Sequence, residues 1–170
     1  MIIRFVVDIS AASYKSSCVV VMAVIYIGSD HGGFELKREL KWYLEMQGYR
    51  VIDVGAHKFD AGDDYPDYAK ALCKEVIAHK AVGILACKSG QGMSIAANKV
   101  KGIRAVIASD VRGAKLAKQH VNANVLCIGS DLTSAEDAER IAAAWAKEEF
   151  SGEERHERRL GKIARIEEGY

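Results

Sequence analysis

The stretch with the clearest chemical potential runs from Cys87 to Met93 and reads CKSGQGM. The thiol ends an apolar run, and Gly90 and Gly92 follow it in a short loop before a predicted helix. A thiol near the beginning of a helix tends to have a lowered pKa, which makes it a better base or nucleophile. Glycines let the backbone approach a ligand closely, and N–H groups of such a loop can stabilise an oxyanion. Cysteine is also a common small residue of protein cores, so the motif alone leaves both interpretations open.

A second candidate lies at residues 28–34, GSDHGGF, where Asp30 and His31 precede two glycines and a predicted helix. Backbone N–H groups at the beginning of a helix bind anions, and a histidine beside them could donate a further hydrogen bond to a phosphate. The simpler alternative is that Asp30 caps the helix and His31 is an exposed loop residue. This motif alone favours neither interpretation.

Histidine and arginine residues later in the chain could supply acid–base chemistry or a phosphate site. His120 ends a predicted helix, where it can act as a general acid or base near neutral pH, or only as a C-terminal cation. Arg155 and Arg159 are four residues apart in EERHERR, so they share a helix face on which two guanidinium groups could hold a phosphate. A charged run is more often a solvent-exposed face, and by itself this motif favours that interpretation.

The elements that must position these residues alternate between strands and helices from residue 23 onwards. The predicted strands are 23–29, 49–55, 82–87, 103–109 and 124–130, with amphipathic helices between them. Repeated strand–helix units predict an α/β fold with a five-stranded parallel sheet and helices on both faces. Ligand sites in such sheets lie beyond the carboxyl ends of the strands, where Asp30 and Cys87 are expected.

Composition excludes several classes of partner. The chain has 170 residues and a net charge of +1, which gives no reason to expect nucleic acid or an anionic membrane. No segment approaches the roughly 20 consecutive apolar residues of a membrane helix. The four cysteines have neither C-x-x-C spacing nor a Cys/His cluster, so we expect no metal and no cofactor. Cys73 and Cys127 lie in apolar patterns and are predicted to be core residues. A reducing cytoplasm is the simplest compartment.

The first part of the chain fits this pattern poorly. Asp8 and Lys15 interrupt the apolar core that a signal peptide would need within residues 1–21. Met22 comes immediately before the first predicted strand. We therefore predict a single domain over residues 22–170, preceded by a dispensable extension. The alternative is a short native extension packed on the surface.

In their joint order these motifs resemble the type B ribose-5-phosphate isomerase and galactose-6-phosphate isomerase family, over about residues 23–165. The resemblance is carried by SDHGGFELK, DYPDYA, GILACKSGQGMSIAANKVKGIRA, HVNANVLCIGS and RHERR. It implies a Rossmann-like three-layer sandwich and metal-free aldose–ketose isomerisation of a phosphorylated sugar, with ribose 5-phosphate as the expected substrate. It also implies a homodimer, or a dimer of dimers, with sites at the subunit interface.

The resemblance further implies a role for each candidate residue. Cys87, as a thiolate, moves a proton from C2 to C1 through a cis-enediolate, and His120 opens the sugar ring. Ser89 relays a proton between the two reacting oxygens. Further substrate contacts are implied for the enediolate from Gly90, Gln91 and Gly92, for the sugar from Asp30, Tyr65 and Asn122, and for the phosphate from His31, Arg155 and Arg159.

Departures from the family pattern leave the substrate open. Lys88 stands where glycine is usual, and lysine is strained there if the position needs a positive φ. Val121 stands where the family generally has asparagine. Hexose and tetrose phosphates are therefore alternative substrates. A non-catalytic nucleotide- or anion-binding module, or a subunit active only in a heteromer, would leave the combination of Cys87, His120 and two arginines to coincidence.

Overall fold

A computed structural model describes residues 23–169, so the predicted extension at residues 1–21 lies outside the described part of the chain. The strands are β1 (Val24–Ser29), β2 (Arg50–Asp53), β3 (Val82–Cys87), β4 (Ala105–Ile107) and β5 (Val125–Gly129). The helices are a 3₁₀ turn at His31–Gly33, α1 (Phe34–Met46), α2 (Tyr65–His79), α3 (Gln91–Ala97), α4 (Val111–Val121), α5 (Ala135–Lys147) and α6 (Glu154–Glu167). Within residues 23–169 no helix has both the length and the apolar character needed to cross a bilayer.

The sheet has five parallel strands in the order β2-β1-β3-β5-β4, which confirms the predicted α/β fold. Right-handed crossovers place α1, α4 and α5 on one face and α2 and α3 on the other. The chain leaves β1 towards one side to form β2 and continues on the other side with β3. The order therefore reverses between β1 and β3, and the carboxyl ends of these strands are the expected place for a ligand.

Alternation along the central strands produces two apolar layers. Ile25 and Ile27 are fully buried against α1 and α5, whereas Tyr26 and Leu85 face α2 and α3. Side chains of successive strand residues point to opposite faces, so a nearly continuous apolar run can fill both layers. Cys87 belongs to the layer of α2 and α3, although it ends its strand.

The prediction that two further cysteines lie in the core is confirmed. Cys73 and Cys127 are fully buried. Burial raises the pKa of Cys73 to about 12 and also raises the pKa of Cys127. Neither thiol is available as an anion near neutral pH, which separates both from the candidate base.

A buried lysine fixes the segment after β2. Lys37 of α1 is 1% exposed, and its Nζ donates to both carboxylate oxygens of Asp53, at 2.9 and 2.8 Å, and to the Ala56 carbonyl. The same segment pairs with the end of β1, since Ser29 N–H donates to the Gly55 carbonyl and Ala56 N–H to the Ser29 carbonyl. These contacts set the course of the chain towards α2, whose first turn holds the predicted Pro66.

A second buried lysine, Lys118, lies between α4 and α5. Its Nζ is 4.2 Å from the ring centroid of Trp145. Burial, together with the charge of Arg104, lowers the pKa of Lys118 to about 8. The charged form of Lys118 therefore destabilises the folded state, and deprotonation removes this destabilisation.

We expect the Lys118→Met variant to lack a pH dependence of stability that the wild type has. The pKa is about 8 in the folded protein against an ordinary value of 10.5, so the unfolded chain binds more protons between these values. Wild-type stability, relative to the variant, should therefore rise with pH in that window, by up to roughly 1.4 kcal/mol per unit. Urea unfolding of both proteins from pH 7 to 10 measures the difference. A constant difference would contradict the buried ammonium.

Candidate active site

The carboxyl edge of the sheet, where the strands end, brings Asp30 close to Cys87. Ser29 of β1 pairs with Ala86 of β3, so the residues that follow them lie at adjacent strand ends. The 3₁₀ turn after Asp30 packs directly on β3, because a Cβ atom on Gly33 would lie 2.3 Å from the Ala86 carbonyl and 2.7 Å from Cys87 N. Only glycine allows this approach.

Cys87 is held at the beginning of the glycine loop. Its side chain is 5% exposed, and its Sγ accepts a hydrogen bond from Gly90 N–H at 3.1 Å. Gly90 itself has φ 75°, a left-handed conformation that favours glycine. The loop therefore directs one backbone donor at the sulfur.

The loop from Lys88 to Gly92 is fixed from the side of β5. A Cβ atom on Gly129 would lie 2.6 to 2.8 Å from the backbone of Ser89, so the two segments are in direct contact. Ser130 N–H donates to the Cys87 carbonyl and Asp131 N–H to the Lys88 carbonyl, both at 2.9 Å. The backbone of the loop is therefore preorganised by three strand ends.

The side chains of the loop are partly open to solvent. Ser89 is half-buried and Gln91 is exposed, and Ser89 Oγ lies 3.4 Å from Gln91 N–H. Lys88 is exposed and has no positive φ, so it carries none of the strain considered above. Its side chain lies over Gly32, where a Cβ atom would meet Lys88 Cγ at 2.6 Å.

Tyr65 reaches the loop from the beginning of α2. Its ring lies so close to Gly92 that a Cβ atom there would be 2.8 to 2.9 Å from ring carbons. The side chain is nevertheless 41% exposed, because it borders the open side of the loop. The structure thus brings together the predicted residues Asp30, His31, Tyr65, Cys87, Ser89, Gly90, Gln91 and Gly92.

Asp30 and His31 have partners of their own. Asp30 is 7% exposed, and its Oδ1 accepts from Gly33 N–H at 3.0 Å, so the capping alternative is observed. His31 Nδ1 lies 2.6 Å from Oδ1 of Asp63. Sequence reasoning missed Asp63, because it is 32 residues from His31 and nothing in the local pattern connects the two.

The remaining predicted residues lie at the opposite, amino edge, where the strands begin. His120 is exposed near the end of α4, and the chain enters β5 only a few residues later. The connection before β5 is held there, since Gly83 N–H at the beginning of β3 donates to the Asn124 carbonyl at 2.9 Å. Asn122 caps α4 with φ 45°, and its carbonyl accepts from Arg104 Nε at 2.9 Å.

Helix α6 carries both arginines to the same edge. The rings of His120 and His156 are 4.5 Å apart between centroids, and Ser151 N–H donates to the Gln119 carbonyl. Arg155 and Arg159 are exposed, and Arg155 pairs with Glu153 at 2.7 Å. The structure therefore divides the predicted site residues into two groups at opposite edges of the sheet.

Comparison with known proteins identifies relatives over nearly the whole described region. A family model for ribose/galactose isomerases matches residues 25–163. The ribose-5-phosphate isomerase B of Mycolicibacterium paratuberculosis is 40% identical over 144 residues, which are 84% of this chain and 91% of that protein.

Solved structures give the same result. The ribose-5-phosphate isomerase B of Clostridium thermocellum is 42% identical, with a TM-score of 0.83 over 86% of this chain and 99% of that one. The ribose-5-phosphate isomerase B of Mycoplasma genitalium, solved with bound ribulose 5-phosphate, is 40% identical, with a TM-score of 0.83 over 88% and 99%. The resemblance predicted from the sequence motifs is confirmed.

We expect the Gly129→Ala variant to lose about 1 to 3 kcal/mol of stability, because its methyl group would overlap the backbone of Ser89. The matched control is Gly113→Ala in α4, where a Cβ atom meets only the Asp110 carboxylate, at 3.6 to 4.0 Å. The control should be neutral or stabilising, since alanine is a better helix former. Urea unfolding measures both changes, and a Gly129→Ala variant as stable as the wild type would contradict the close packing.

Proposed function

The chain belongs to the ribose/galactose isomerase family and is a sugar-phosphate aldose–ketose isomerase; we propose that it interconverts ribose 5-phosphate and ribulose 5-phosphate. The observation that carries the choice of base is the Cys87 thiol at the switch point of the sheet. The Cys87 side chain is nearly buried, and its sulfur accepts a hydrogen bond from a backbone N–H. It also immediately precedes a loop that offers further backbone N–H groups.

The reaction requires one base, one site for negative oxygen and one relay. In the open-chain aldose, the Cys87 thiolate takes the C2 proton, and the C–H electron pair forms the C1–C2 double bond of a cis-enediolate. Backbone N–H groups of Ser89, Gln91 and Gly92 stabilise the developing charge on the oxygens, while Gly90 N–H remains on Cys87 Sγ. Ser89 transfers a proton from O2 to O1, and the Cys87 thiol returns its proton to C1, which gives the ketose.

The separation of the two residue groups supports a site shared between two copies of the chain. Cys87 and His120 lie at opposite ends of strands such as β3, which spans about 16 Å at 3.3 Å per residue. One chain therefore cannot bring both side chains to one sugar. We propose that His120 of a second copy opens the ring of the sugar bound at Cys87.

Exposed apolar residues on α6 fit the same arrangement. His156 is the only α6 residue that is fully buried among those described, whereas Ile163 and Ile166 are 40% and 56% exposed. A helix with apolar side chains left in solvent is suited to packing against another subunit. In such a dimer, Arg155 and Arg159 of one copy would bind the phosphate together with His31 of the other.

The proposed substrate rests on the known relatives and on the residues proposed to bind its phosphate. The relatives are ribose-5-phosphate isomerases, and one of them holds ribulose 5-phosphate in its solved structure. A phosphate held far from C1 and C2 supplies binding energy that orients the reacting carbons. Hexose and tetrose phosphates remain the alternatives, because Lys88 and Val121 depart from the family pattern.

We expect purified protein to convert ribose 5-phosphate to ribulose 5-phosphate and to exchange the C2 proton with solvent, both detected by NMR in D₂O. Free ribose should be a very poor substrate, since it lacks the anchoring phosphate. The Cys87→Ala variant should lose isomerisation and exchange together. The control is Cys73→Ala, whose thiol is in the core. Wild-type turnover in Cys87→Ala would rule out the cysteine base, and faster turnover of a hexose or tetrose phosphate would change the substrate.

Mixing two inactive variants tests the shared site. We expect Cys87→Ala and His120→Ala each to lose activity, the latter by roughly 10²–10⁴ on cyclising sugars. Co-expressed with different affinity tags, they should form hybrid dimers in which one of the two sites has both residues. The random mixture should then recover about a quarter of wild-type activity. A site contained in one chain would give no recovery.

A further inference from the structure

The structure assigns a role to Asp63, a residue that the proposed chemistry does not use. We propose that Asp63 is a positioning residue for phosphate binding: it holds the His31 ring so that Nε2 is presented to the phosphate of the sugar. The inference rests on the phosphate role proposed for His31. It goes beyond that role, because it names the group that makes this histidine a directed donor.

One carboxylate oxygen holds both the backbone and the ring of His31. Asp63 Oδ1 accepts from His31 N–H at 3.1 Å and lies 2.6 Å from His31 Nδ1. The Asp63 side chain is 6% exposed, so water competes little for this contact, whereas the His31 side chain is 27% exposed. The ring therefore has one end fixed inside the protein and the other end open.

The ionisation state of Asp63 decides which nitrogen of the ring carries a proton. Burial raises the pKa of Asp63, but the hydrogen bonds from the His31 ring and backbone and the effect of nearby Tyr68 outweigh it, so the pKa lies below its usual value. An ionised carboxylate can only accept, and Nδ1 must therefore be the donor. Nε2 is then left for a ligand, and it has no hydrogen-bond partner among the described residues.

Neighbouring groups leave Asp63 as the ring's partner. The Asp30 carboxylate is near, but its Oδ1 is engaged with Gly33 N–H. Phe59 contacts the ring edge-on, with 6.3 Å between centroids, and offers it no hydrogen-bonding group. When the ring is protonated on both nitrogens, it donates from Nδ1 to Asp63 and from Nε2 to a phosphate oxygen.

A cation between these groups would need a different geometry. Asp30, His31 and Asp63 each offer an atom within 4.8 Å of the others. However, the 2.6 Å contact between Nδ1 and Oδ1 is a direct hydrogen bond, and both atoms would have to separate to admit an ion. The geometry is therefore that of a histidine oriented by a carboxylate, not of a cation site.

A double-mutant cycle tests the proposal with inorganic phosphate and ribose 5-phosphate as probes in calorimetry. We expect Asp63→Asn to weaken both probes about tenfold in the wild-type background, as for loss of one charge-assisted hydrogen bond. In the His31→Ala background the same substitution should change the affinities less than about twofold, because its effect passes through the ring. The control is Asp60→Asn, an exposed residue of the same segment that accepts from Gly62 N–H.

Long-range ¹H–¹⁵N NMR of the imidazoles provides a second measurement. In the phosphate-free wild type we expect the neutral His31 ring to carry its proton on Nδ1, and with phosphate bound we expect protons on both nitrogens. In phosphate-free Asp63→Asn the neutral ring should populate both tautomers. An unchanged phosphate affinity, an equal loss in both backgrounds, or a wild-type Nε2–H tautomer would overturn the proposal. If instead no aldose phosphate is isomerised while the coupling to His31 persists, the proposed function fails and the role of Asp63 stands.

Discussion

The common direction of the five strands is the constraint on which the site depends. In a parallel sheet every strand ends at one edge, and every connecting helix returns the chain to the other edge. Cys87 ends a strand and His120 lies near the end of a helix, so the fold itself keeps them apart. His120 is exposed at the amino edge, as are Ile163 and Ile166 of α6, and the proposed dimer would place a second copy of the chain against both groups.

The group of predicted site residues around Cys87 is, by contrast, fixed by contacts within one chain. Gly33 packs on the backbone of β3, and Gly129 packs on the backbone of Ser89, so no side chain separates these segments. Lys37 holds the segment after β2 through Asp53. In the proposed mechanism the N–H groups of this loop stabilise an enediolate, so they must be in place before the charge develops. Close backbone packing achieves this without adjustable side chains.

Local patterns were sufficient to predict the elements and the residues at the carboxyl edge. The buried strands, the glycine loop after Cys87 and the helix beginning near Pro66 each depend on a short stretch of sequence, and each is observed. The contact between His31 and Asp63 was out of reach, because it depends on how the segment after β2 folds back over β1. The position of His120 just before a strand places it at the amino edge, whereas its residue type indicates only acid–base chemistry.

Lys88 and Val121, which depart from the family pattern, lie at the carboxyl edge and the amino edge of the sheet, respectively. Lys88 is exposed beside Gly32, and its backbone serves the loop in an ordinary conformation. Val121 is half-buried and uses its carbonyl to accept from Arg104, a role that valine fills as well as asparagine. In both cases the fold uses the main chain, so the side chain is free to vary. In the proposed mechanism, changes at these two positions would alter contacts with the sugar without altering Cys87, Ser89 or the backbone of the glycine loop.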